Sequence, residues 1–147
     1  MGGYALVVLP DAEGALRATL RDGVDLGPAT GMVFFAVPPI PKGQTEVPLP
    51  LVTLARVGGL PDDDLPLDHP TITFAVWGNS KQEAATVAGL LVVALRTIGG
   101  SRSPDGSTLF DGTSDISGPV WSPDDAAGKA RYIVSATIHL RPTAAVG

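Results

Sequence analysis

The sequence predicts an α+β domain: a mainly antiparallel sheet with two helices packed on one of its sides. Three observations lead there. Thr71–Trp77 and Arg131–Leu140 alternate apolar and polar residues with a period of two, as half-buried strands do. Two other stretches carry helix start and stop signals. The order helix, strands, helix, strands differs from the strict alternation that builds a parallel sheet.

Taking the elements in order, Pro10-Asp11 followed by Ala, Glu and Leu opens a helix, and Arg17 and Arg21 suit its last turn before Gly23 stops it. This places a first helix over 10–22. Gly31 to Val37 is a compact apolar run closed by Pro38-Pro39 and reads as a buried strand. Residues 38–50 hold five prolines and Gly43, so a flexible loop or arm is expected there. Leu51 to Val57 is the next strand, ended by Gly58-Gly59. An acidic loop with Asp62, Asp63, Asp64 and Asp68 leads to the central strand, in which Ile72, Phe74 and Val76 point one way and Thr71, Thr73, Ala75 and Trp77 the other.

Ser80 with Glu83 three residues on forms a capping box, so a second helix is predicted from Lys81 to Ile98, ending at Gly99-Gly100. Its Ala84–Leu95 portion is apolar nearly all round. Such a helix needs cover on two sides, and the simplest second cover is another copy of the chain. Residues 101–115 are rich in Gly, Ser, Asp and Pro and read as a second flexible loop. A short strand at 116–121 and a longer one at 131–140 complete a single domain spanning 1–147.

Bulk properties narrow the function. The 147 residues contain no cysteine, which excludes disulfides, thiolate metal sites and a cysteine nucleophile, and leaves an intracellular setting as the default. The net charge is −5, and the ten basic residues are scattered, so no concentrated positive face for nucleic acid is indicated. The first ten residues lack a basic start and a cleavage pattern, and no apolar run approaches the length of a bilayer span; neither a signal peptide nor a membrane segment is expected.

Catalytic chemistry finds little to use. The two histidines, His69 and His139, read as surface or interface residues, and no serine sits in a Gly-x-Ser-x-Gly elbow. The aspartates at 62–64 and 68, and the Asp111–Asp115 stretch, match no metal loop and read as solvated turns. Gly58-Gly59 is not followed by the Lys-Ser or Lys-Thr of a phosphate loop. No catalytic residue, metal or cofactor is therefore assigned. Arg56, mid-strand, needs a carboxylate or carbonyl partner, from the acidic loop or from a neighbouring subunit. Trp77 suits a half-buried site or an interface anchor.

In the order Arg56-Val57-Gly58-Gly59, acidic loop, His69-Pro70 and Thr71–Gly78, then Ser80 opening an Ala-rich helix, a Gly-rich loop and the strand Arg131–Ile138, the chain resembles the tail terminator proteins of long-tailed bacteriophages. The resemblance covers about residues 30–141 and is one of element order and residue type. It implies a ring-forming virion subunit, usually a hexamer, at the head-tail junction. Such a ring caps the tail tube protein, meets a head completion or connector protein, lets genomic DNA pass without specific contacts, and has no enzymatic activity. The expected subunit or partner interface comprises Arg56, Trp77, Lys81, Val87, Leu91 and Leu95, with Asp62, Asp63, Asp64 and Asp68 facing the channel or a partner. Two alternatives are a head-side connector or stopper, and a small ligand-binding or hydrolytic domain built on His69 and the aspartates.

Overall fold

A computed structural model describes residues 11–59 and 67–143. Its elements are α1 (Ala12–Gly23), a short 3-10 turn (Gly27–Ala29), β1 (Val33–Phe34), β2 (Leu51–Gly58), β3 (Thr71–Gly78), α2 (Lys81–Thr97), β4 (Thr108–Trp121) and β5 (Ala130–Pro142). The five strands make one sheet in the order β1-β2-β3-β5-β4. Only the two-residue β1 runs parallel to its neighbour; the other pairings are antiparallel.

The core lies between one sheet face and both helices. Ile72, Phe74 and Val76 of β3 join Val52 and Leu54 of β2 and Val134, Ala136, Ile138 and Leu140 of β5 in a single buried cluster with Leu16 and Leu20 of α1 and Leu91 and Leu95 of α2. Register puts them there. Leu54 opposes Phe74, and Phe74 opposes Val134, so the apolar halves of three strands share one side.

Local chemistry fixes the helix starts. The Asp11 carboxylate accepts from Gly14 N–H at 3.1 Å, so α1 begins at Ala12, two residues later than the sequence suggested. Ser80 Oγ accepts from Glu83 N–H at 3.1 Å, while Glu83 reaches back to the backbone N–H and side-chain amide of Asn79, each at 2.9 Å. Asn79 also donates to Leu49 O at 3.1 Å and so ties the proline-rich arm to the helix entrance. Gly78 is required at this junction, since a Cβ would lie 2.7 Å from Ala84 N.

Three expectations need correction. The 31–37 strand shrinks to Val33–Phe34, because the chain then turns away from β2 and Phe35 and Val37 are left 50% and 44% exposed. The loop expected over 101–115 ends at Ser107; from Thr108 onward it is β4, a 14-residue strand with Phe110 fully buried. Its glycines and aspartates are used in bulges: register shifts fall between Phe110 and Gly112, Ser114 and Ser117, and Ser117 and Val120, with Asp115 at φ 53° and Gly118 at φ 100°. Third, Val87, Leu91 and Leu95 of α2 are not left for a partner. Val87, Leu91 and Leu95 recur every fourth residue, which lines them up on the stripe that the sheet covers, and all three are fully buried.

Arg56 finds its partner within the chain. Its guanidinium grips Asp68 through two parallel hydrogen bonds of 2.7 and 2.9 Å, and also donates to the carbonyls of Gly58 and Gly59. The Asp68 bond holds the Arg56 pKa above its ordinary value, against partial desolvation. Asp68 is 2% exposed, and its backbone pairs with Leu140 of β5, so the ion pair ties the end of β2 to the far end of β5. Gly59, at φ 88°, makes the turn possible: a Cβ there would collide with the carbonyl of His69.

Arg56→Met should destabilise the fold by about 3 kcal/mol, the low end of the range for stranding one member of a buried pair because the guanidinium is partly exposed, and the double variant Arg56→Met/Asp68→Leu should recover most of it. Urea denaturation midpoints at unchanged slope are the check.

A second prediction concerns the 103–107 turn. The Asp105 carboxylate accepts from Ser103 Oγ at 2.6 Å and from the N–H and Oγ of Ser107 at 2.9 and 2.7 Å. These bonds, that from Ser103 foremost, lower its pKa from 3.8 to about 2. A depressed carboxylate stabilises the fold above its unfolded pKa, and the contribution is lost as pH falls through the folded value. The melting-temperature gap between wild type and Asp105→Asn should thus hold steady near neutral pH, begin to narrow below 3.8 and close near pH 2.

Candidate functional site

With one sheet face buried under the helices, the features open to partners are the other face, its edges and the outward flank of α2. The open face is built from the off-parity residues Thr71, Thr73, Ala75 and Trp77 of β3 and Ser135, Thr137 and His139 of β5, all partly exposed. None of these carries a carboxylate or an ammonium group. Hydroxyl groups predominate among them, and Ile133 and Arg131 of β5 stand opposite Ala75 and Trp77 on the same side.

At one end of this face stands a polar cluster that sequence reading did not anticipate. His69 Nδ1 lies 2.8 Å from His139 Nδ1, and His139 Nε2 lies 2.8 Å from Ser114 Oγ. The two rings meet edge to face with centroids 4.8 Å apart. The histidines, expected as separate surface residues, instead bind each other, because the Asp68–Leu140 pairing brings the segment before β3 alongside β5. Nothing short of that long-range pairing could reveal it in the sequence. A serine hydroxyl on an imidazole has the spacing of a nucleophile and its base. Its second imidazole partner is itself neutral or cationic, where a catalytic triad places a carboxylate. The cluster satisfies half-buried polar groups on the open face.

The opposite end is apolar. Residues of the 37–49 arm, Trp77 and the 124–129 turn line a groove of about 420 Å³. Val37, Ile40, Val47, Leu49 and Trp77 supply its apolar lining, and Glu46, Asp124 and Lys129 its charged rim. Lys129 Nζ meets Glu46 Oε1 at 3.3 Å, which holds arm and turn together. Arg131 lies over the Trp77 ring at 5.0 Å. The Trp77 indole N–H is covered and has no acceptor among the described residues.

On the helix side, Lys81 is exposed and holds its ammonium 4.7 Å over the ring of Trp121. Trp121 is 39% exposed and packs on Tyr132 with centroids 5.2 Å apart. The outward flank of α2 offers Ala85, Gly89 and Val93, the last 57% exposed.

The expected interface residues therefore divide. Trp77 and Lys81 stand at accessible features. Val87, Leu91 and Leu95 are spent on the core, and Arg56 on Asp68. Asp68 is likewise buried, with its carboxylate held by Arg56. Asp62, Asp63 and Asp64 lie outside the described residues. Among the described residues no group of three or more His, Cys, Asp or Glu side chains is placed to hold a metal ion, and no helix is long and apolar enough to cross a membrane.

No family model matches the sequence, and no curated protein matches it. Among solved structures, the fold matches a chain from the virion of a native gene transfer agent (GTA) particle at 18% identity, with a TM-score of 0.57 over 89% of this chain and 93% of that chain. At that identity the likeness establishes a shared α+β architecture, a mixed and mostly antiparallel five-stranded sheet with two packed helices, across nearly the whole of both chains.

Proposed function

We propose that this chain is a structural virion subunit of the tail terminator kind, which forms a ring, a hexamer in the family it resembles, on the end of the tail tube and offers the head its attachment surface. The observation that carries the reading is the end-to-end fold match with a chain of a GTA virion, which covers 93% of that chain and so leaves little of either protein outside the shared domain. The tail-terminator pattern in the sequence supports the same direction.

In this reading the chain has no enzymatic role. Its partners are other copies of itself, the tail tube protein below and a head completion or connector protein above. A net charge of −5 suits a conduit, since a wall that repels phosphate lets genomic DNA slide where a basic wall would grip it. Asp62, Asp63 and Asp64 are proposed to face the channel or a partner. The arm at 38–50 is proposed to order further on docking.

Light-scattering mass measurement of the purified chain, alone and with tail tube protein, tests this. A ring of fixed mass that stops tube growth is the expected result, visible as annuli in electron micrographs. A strict monomer under both conditions would overturn it, and capture by connector protein with no affinity for the tube would move the assignment to the head side of the junction.

A further inference from the structure

We infer that subunits join head to tail by seating Trp121 of one copy in the groove beside Trp77 of the next, with Lys81 of the first meeting Asp124 of the second. This rests on the ring reading above and names its contact.

The two features lie on opposite faces of the sheet. Trp121 opposes Tyr132, which opposes Val76 on the helix side, whereas Trp77 is the next residue and points to the open side. A single copy therefore cannot close its own knob into its own groove. When two different patches of one subunit complement each other, the same contact repeats from copy to copy and closes as a ring if the rotation allows.

Chemistry on the two sides matches. The groove of about 420 Å³ falls within the size range of sites that hold a compact apolar group. Val37 and Ile40 at its margin are 44% and 55% exposed, and the knob brings a tryptophan that is 39% exposed on an outer strand. Charge agrees as well: Lys129 is paired with Glu46 and Arg131 with Ser122 O and the Trp77 face, which leaves Asp124 without a cationic partner among the described residues. Lys81, likewise, has no carboxylate partner there and sits directly over Trp121.

A charge exchange tests the contact. Lys81→Asp and Asp124→Lys should each weaken ring formation by about tenfold or more, as like charges are brought together, and the double variant Lys81→Asp/Asp124→Lys should restore it. Trp121→Ala, at a partly exposed site that should leave the circular dichroism and melting curve near wild type, should give monomers at concentrations where wild type is a ring. Rings that survive Trp121→Ala, or singles that weaken with no recovery in the folded double, would overturn this contact while the ring reading stands. A wild-type chain that never leaves the monomer would overturn the ring reading and this contact together.

Discussion

The register of β3 decides what every other part of the molecule can do. This strand sits between β2 and β5, and its alternation sends Ile72, Phe74 and Val76 to the helices and Thr71, Thr73, Ala75 and Trp77 to the open face. A slip of one residue against either neighbour would drive threonines into the core and expose Phe74. The Arg56–Asp68 pair guards one end of that register, because it ties β2 to the segment entering β3 and, through Asp68, to β5. Gly78 and the Ser80 cap guard the other, where the strand must turn into α2 within two residues.

What could be read from the chain follows from how local each signal is. α2 was legible almost to the residue, since its cap, its apolar run and its glycine stop are all contiguous. β3 and β5 were legible because period-two alternation needs no partner to be recognised. β4 was hidden: its alternation holds through Thr108 and Phe110 and is then interrupted by bulges, whose Gly and Asp residues look like loop chemistry until β5 is laid beside them. The opposite error arose at 31–37, where an apolar run has only Val52 and Thr53 of β2 to pair with.

The candidate sites show the same division. That Arg56 needed a carboxylate or carbonyl partner was visible; that Asp68 is the one could be settled only by the turn through Gly59. Apolar content alone marked Val87, Leu91 and Leu95 as sticky, yet their spacing puts them on the sheet-facing stripe, and the flank that remains is made of Ala85, Gly89 and Val93. The His69–His139–Ser114 cluster joins residues 70 and 25 positions apart, and sequence spacing carries no trace of it.

A complete core changes the nature of the argument for assembly. The inner stripe of α2 is covered by its own sheet, so association is not forced by an unfinished interior. What remains is surface: an apolar groove beside Trp77 on one face, and an aromatic knob under Lys81 on the other. Patches of that kind suit a subunit that folds first and assembles later, since its monomer hides most of its apolar area and exposes only what a neighbour must recognise. In the proposed ring each copy fills one groove and offers one knob, so closure leaves neither free. An assembly that consumes its own sticky surfaces in this way grows no wider once it closes, and in the proposed reading leaves its two axial faces to the tube and the head.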